Sequence, residues 1–438
     1  MPKPNAQETE TLRRDIGLNG AVLMGLGSIV GTGVFVSIGV ASGVAGPNVL
    51  IATFLAALLA TCNGLSSAQL AASHPVSGGT YEYGYRWLRP GIGFAAGWLF
   101  LCAKSASAAT ALLGLAGYLS STFEHEFNGG MLLISILILG LITGITLAGI
   151  KRSNLANSLI VALTLIALLS FVLFGFSSAV DRAPENLNGI FTVGGSDTFN
   201  LFHATALMFV AYTGYGRIAT LGEEVKRPKE TIPRAMIATL LITMALYTAV
   251  GFVAVALVGA DALSLSTKTS IAPLLFAADS LDVPWVRSVL FLGAMTAMLG
   301  VVLNLLLGLS RVALAMARRN DLPPALSVLA SNGTPKRATI FVALIIGALV
   351  LLGDVRLSWS FSAFTVLLYY SITNLCAIRL EADSRLYPVW IPWCGLTGCI
   401  SLACWITPAV AAAGLIILAI GYGIRGLCKA SMKVKTTK

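Results

Sequence analysis

"GSIVGTGVF", residues 27–35, lies inside a stretch, 16–44, whose apolar character is otherwise that of a membrane-spanning helix. Gly27, Gly31 and Gly33 fall close together there, with Ser28 and Thr32 between them. Each interior glycine costs a helix about 1 kcal/mol relative to alanine. In hydrocarbon an orphaned backbone N–H or C=O costs several kcal/mol, so an interruption is tolerated only where it lines a polar cavity. Such a break exposes N–H groups at the positive end of a half-helix, which suit a carboxylate, and carbonyls, which suit an ammonium. A zwitterion carries both. The plainer alternative is a small-xxx-small packing motif built on Gly27 and Gly31.

A second interruption favours the binding reading. "AYTGYGR" (211–217) places Gly214 and Gly216 in mid-span, flanked by Tyr212 and Tyr215. Glycine-interrupted segments at corresponding positions of two halves point to an inverted-repeat transporter. The halves are read as 16–180 (spans 1–5) and 200–380 (spans 6–10). Spans 11 and 12 follow over 387–425, between an N-terminal tail 1–15 and a C-terminal tail 426–438.

Composition fixes the class. Apolar residues make up 56% of the 438 and charged residues 11%, with a mean hydropathy of +0.84; a water-soluble domain carries about 25% charge. The expectation is an all-α polytopic membrane protein of about twelve spans, near 16–44, 48–71, 91–119, 130–149, 154–179, 200–222, 232–259, 286–315, 338–353, 358–379, 389–407 and 408–425. Residues 1–15 are polar and lack the apolar core of a signal peptide. With the N-terminus inside, four of the 29 Lys and Arg fall outside (Arg182, Lys268, Arg287, Arg356) and two lie within spans (Lys104, Arg217). The rest are cytoplasmic, while acidic residues divide almost evenly. That is the positive-inside pattern, with both termini cytoplasmic. The net charge of +10 therefore reports orientation and not a nucleic-acid partner. The seven cysteines read as small packing residues. No nucleophile–base pair, metal spacing or cofactor motif suggests an enzyme.

Four stretches carry a family resemblance: "GSIVGTGVF", "PVSGGTYEY" (75–83), "GYGRIATLGEEVKRPKETIPRA" (214–235) and "NLLLGLSRVALAMARRNDLP" (304–323). With these the chain resembles the amino acid–polyamine–organocation superfamily of transporters, close to its bacterial amino acid permeases. The resemblance implies a five-plus-five inverted repeat with helices 1 and 6 broken, two extra helices, and alternating access around a central site. Carried over residue by residue, it places the substrate carboxylate at Ser28, Ile29, Gly31 and Thr32. The amino group falls near carbonyls of Gly25 and of Phe209 to Tyr212, which include Ala211, beside the break at Gly214. Phe209 or Tyr212 is the aromatic expected to cover the substrate. Glu223 and Glu224 match an acidic pair after span 6, read as a cytoplasmic gate within reach of Arg217, or as a solvated helix end.

Two residues bear on coupling. Relatives that carry a lysine midway along span 5 have Thr164 at that position here, a hydroxyl that suits sodium and cannot carry a proton. Lys104 lies about 13 residues past Gly91, roughly 20 Å deep at about 1.5 Å per residue. An intramembrane lysine is a functional candidate by default. The alternative is a structural cation paired with carbonyls at a helix break. The expected function is secondary transport of amino acids across the cell (inner) membrane, proton-coupled or by exchange. Neutral substrates come first and acidic ones second, and sodium ranks below the proton. The rival is a membrane sensor that binds an amino acid without moving it, although such a protein usually carries a sizeable soluble module.

Overall fold

The computed structural model describes residues 16–75, 78–121, 130–149, 154–190, 196–219, 225–330 and 333–436. The helices are, in order, α1 (Leu18–Ile29), α2 (Thr32–Phe35), α3 (Ser37–Ala45), α4 (Val49–Ser73), α5 (Thr80–Trp87), α6 (Pro90–Ser120), α7 (Gly130–Leu147), α8 (Asn154–Asn186) and α9 (Ser196–Tyr212). They continue with α10 (Gly216–Ala219), α11 (Pro228–Val258), α12 (Ala260–Thr269), α13 (Pro273–Ala278), α14 (Pro284–Arg318), α15 (Lys336–Leu351), α16 (Val355–Ile378), α17 (Trp390–Cys404) and α18 (Pro408–Thr436). Among the described residues no strand forms; one isolated bridge joins Ile16 to Val225.

Eight helical segments among the described residues are long and apolar enough to cross a membrane, and the broken spans and the shorter α15 and α17 complete the bundle. Span 1 is α1–α3 and span 6 is α9–α10, so the broken spans are those whose glycines marked them. The glutamates expected at the gate, Glu223 and Glu224, lie outside the described residues.

Helix α6 runs through the middle, with 89% of its most apolar window buried, against 22% for α7 and 17% for α18. The sequence explains this. Around Lys104 the helix reads "AKSASAATALLGLAG" (103–117), small residues on every face that let neighbours approach closely. The outer helices α7 and α18 present large apolar side chains outward, with Leu141 65% and Leu427 74% exposed.

Two connections that hydropathy leaves as loops are packed helices. α5 precedes α6, and α12 with α13 covers one end of α3, where Gly39 faces Thr267 and Pro273 and Gly43 faces Ser264. Ile271 adopts a left-handed conformation (φ 57°) to turn the chain between α12 and α13. The turn fits because α6 has a glycine beneath it: a Cβ on Gly117 would strike the Ser270 carbonyl. Gly117→Ala therefore costs about 1–3 kcal/mol by overpacking, whereas Gly144→Ala, in open space on α7, is neutral or gains up to about 1 kcal/mol of helix propensity. Thermal melts of the two purified variants check this; equal melting temperatures would show that the α12–α13 cover is loosely seated.

Candidate functional site: two helix breaks around one cavity

The first break is a short extended link. The helical ladder of α1 ends with Val30 N–H donating to Leu26 O at 2.8 Å, and Val30 and Gly31 are extended. The ladder resumes where Val34 and Phe35 N–H donate to Gly31 O at 3.1 and 3.2 Å. The leading N–H groups of α2 therefore have no acceptor in their own helix. One freed carbonyl is taken up from outside the span: the Tyr247 hydroxyl of α11 donates to Ile29 O at 2.8 Å.

The second break replaces the last turn of α9 with a tighter turn over Thr213–Tyr215. Here Lys104 decides the local chemistry. Its Nζ donates to Thr213 Oγ1 at 2.7 Å, and that hydroxyl donates in turn to Val210 O at 2.7 Å. The Tyr370 hydroxyl of α16 donates to Thr213 O at 3.2 Å. Side chains from α6, α11 and α16 thus take up groups that the two unwindings leave over.

The breaks lie against each other. A Cβ on Gly214 would overlap the Ser28 carbonyl, and one on Gly33 would come within 2.7 Å of Ala211 Cβ. This close approach needs glycine at both positions.

A cavity of about 290 Å³ opens where they meet. Of the residues expected at the substrate, Ser28, Ile29, Thr32, Ala211 and Gly214 line it, as do Lys104 and Arg217. Thr32 is 4% exposed and its buried hydroxyl has no hydrogen-bond partner; an unsatisfied buried hydroxyl costs about 1–3 kcal/mol. Lys104, Arg217 and Arg311 all contribute to the wall, and among the described residues no carboxylate does. The local field therefore favours an anionic group.

Other expected residues stand behind the wall. Gly25 packs against Ile218 and Thr239, and Gly31 against Val301 of α14. Phe209 is fully buried, edge-on to Tyr370 at 5.7 Å, and Tyr212 stacks at a tilt on Tyr247 at 5.1 Å. The Thr164 hydroxyl donates to Ile160 O at 2.7 Å within α8 and does not reach the cavity. In place of the expected aromatics, Phe100 of α6 and Trp359 of α16 line it, with Val301 and Asn304 of α14. Asn304, a lone amide in mid-span, was legible as a signal. Trp359 carried none, because a tryptophan in a span reads as ordinary packing.

The comparisons with known proteins come down on one family. The amino acid permease pattern matches residues 20–432. The chain belongs to the amino acid permease family. An uncharacterized transporter of Mycobacterium tuberculosis is 38% identical over 421 residues, covering 95% of this chain and 92% of that one. The branched-chain amino acid permease BcaP of Bacillus subtilis is 27% identical, covering 85% and 83%. Among solved structures, MhsT in complex with L-phenylalanine superposes with a TM-score of 0.57 at 19% identity, over 91% of this chain and 97% of that one. That likeness is one of fold. This permease is therefore a multi-pass membrane transporter, with the five-plus-five architecture, broken helices 1 and 6, and α17 and α18 appended.

The permease's buried ammonium supplies a test. Thr213→Val keeps the side-chain volume and removes the partner of Lys104, which costs about 1–3 kcal/mol. Adding Lys104→Met removes the stranded charge, so the double variant melts above Thr213→Val alone. Additive losses would mean that the ammonium is satisfied elsewhere.

Proposed function

We propose that this permease is a secondary transporter of neutral amino acids, working by alternating access in the cell (inner) membrane with both termini cytoplasmic. The observation that supports it best is the meeting of two helix breaks on one cavity, with Lys104 bound at one of them. The carboxylate sits at the unwound Gly31–Thr32 segment, where the Thr32 hydroxyl and the leading N–H groups of α2 meet it. The amino group faces carbonyls at the end of α1 and at Val210–Ala211. Phe100, Val301 and Trp359 offer the side chain apolar surface, and Trp359 takes the covering role in place of Phe209 or Tyr212. The halves 16–180 and 200–380 act as the two repeats.

The cavity continues past Gly78, Tyr81, Arg311 and Ala315, at the end of the bundle where Lys and Arg concentrate. We read this as the cytoplasmic mouth of an inward-open state, sealed at the other end by α12 and α13. Cationic substrates are disfavoured because the wall carries positive groups and, among the described residues, no carboxylate. The same observation favours acidic amino acids as the second reading. A proton carried by Lys104 is the first candidate for coupling; sodium at Thr164 ranks below it, since that hydroxyl is already committed to its own helix.

Uptake of a panel of labelled amino acids into proteoliposomes tests this directly. Gly31→Leu abolishes uptake, because a Cβ there already comes within 2.6 Å of Val301 Cγ2 and the longer side chain invades the carboxylate site. Near wild-type transport by that variant would move the site elsewhere. Lys104→Ala removes the pH dependence of uptake while leaving pH-independent exchange of one amino acid for another. Uptake curves against pH that coincide in Lys104→Ala and the wild type, with and without an imposed proton gradient, would make Lys104 a structural cation.

A further inference from the structure

Helix α18 packs on the outside of the bundle and leaves most of its apolar surface uncovered. Its polar bonds nevertheless converge on one corner. Trp98 Nε1–H donates to Ile417 O at 2.9 Å, and the Tyr422 hydroxyl donates to Gly91 O at 3.1 Å. One turn on, Arg425 does more. Its Nε donates to Asp321 Oδ1 at 2.8 Å, and its Nη2 donates to Pro90 O at 3.0 Å and to the Tyr85 hydroxyl at 3.3 Å. The guanidinium also lies over the Phe94 ring at 5.1 Å.

Asp321, just past the end of α14, has no exposed side-chain surface. A carboxylate so placed is tolerated only when donors fill its lone pairs. Its second oxygen accepts the Tyr81 hydroxyl at 3.0 Å and the Tyr85 hydroxyl. Burial and the hydrogen bond to Asp321 push the Tyr85 hydroxyl up to about 12, so it stays a donor. Lys429 stands farther off, at 3.6 Å from Oδ1. One carboxylate therefore ties α5, the end of α14 and α18 together. Of these residues Tyr81 is also a wall of the cavity mouth.

We infer that Arg425 is a positioning residue for transport: through Asp321 it fixes Tyr81, and with it the wall of the mouth, so that α18 belongs to the transport machinery. The inference rests on reading the cavity as the substrate site. A mouth that must seal around substrate needs at least one wall that does not yield. With Arg425 removed, the buried carboxylate keeps the tyrosines and a distant ammonium, and Tyr81, still under the Arg319 guanidinium at 5.3 Å, loses the fixed anchor of its hydroxyl and shifts in the wall. Substrate then escapes before translocation, which raises the apparent KM without removing folded protein. The Trp98 and Tyr422 bonds remain, so α18 stays docked.

The test is uptake of labelled leucine and phenylalanine by Arg425→Ala, Arg425→Lys, Tyr81→Phe and the double Arg425→Ala/Tyr81→Phe, with Gly31→Leu beside them. Arg425→Ala and Tyr81→Phe each raise KM about fivefold or more at a maximal rate per folded molecule within about twofold, and the double exceeds neither, as members of one chain of contacts do not add. Arg425→Lys, which keeps the charge, recovers most of the shift. An unchanged KM in Tyr81→Phe, additive effects in the double, or a loss of melting temperature alone in Arg425→Ala would each overturn the inference. Should Arg425→Ala not accumulate, Tyr81→Phe and Arg425→Lys decide it. Retained uptake in Gly31→Leu would instead defeat the reading of the cavity; abolished uptake there with an unshifted KM in the other variants defeats only the role of α18.

Discussion

Everything in this fold depends on one constraint: a backbone N–H or C=O inside hydrocarbon has to find a partner. An unbroken helix meets it alone, and two spans here do not. Their unwound segments survive because each is buried against the other, Ser28 on Gly214 and Gly33 on Ala211, and because donors arrive from three intact helices. Tyr247 takes up the Ile29 carbonyl, Tyr370 the Thr213 carbonyl, and Lys104 the Thr213 hydroxyl. Each bond contributes only about 1 kcal/mol net, yet leaving its acceptor bare would cost up to about 3 kcal/mol. The breaks are thus a shared property of five elements. The Thr32 hydroxyl remains unpaired, on a residue that lines the cavity.

The same constraint explains the treatment of charge. Lys104 is 8% exposed and sits on a hydroxyl at a helix break, an arrangement that leaves its charge formally unbalanced among the residues that line the cavity. Asp321, with no exposed surface, is surrounded by two phenols, a guanidinium and an ammonium at the cavity's mouth. A buried charge that is fully chelated holds a structure in one place. One held by a neutral hydroxyl can exchange that partner for an anion that enters beside it.

The glycines of span 1, the second break near Gly214, the twelve-span architecture and the placement of Lys104 within a span were all legible from the sequence. Each follows from a rule that acts locally: propensity, hydropathy, or 1.5 Å of rise per residue. The aromatics that line the cavity were not. A register along α9 says that Phe209 and Tyr212 lie near the break, but the direction in which a ring points depends on which neighbours leave room. Tyr370 and Tyr247 hold those rings behind the wall, and Trp359 from a helix distant in sequence stands in front. Likewise α5 and α12 are too short and too polar, and α13 too short, to register as helices, although tertiary burial makes them so.

By itself the sequence determined that this chain crosses the membrane many times and where its backbone would have to open. Those properties are sums over neighbouring residues, and the bilayer enforces them one span at a time. Only the tertiary structure decided that the openings meet, that Lys104 reaches Thr213 across 109 positions of chain, and that Arg425 reaches Asp321 across 104. Such pairings depend on how helices pack, and no local pattern encodes that. The physical reason is reach: a hydrogen bond acts over about 3 Å, so its energy becomes available only after the fold has brought its partners together.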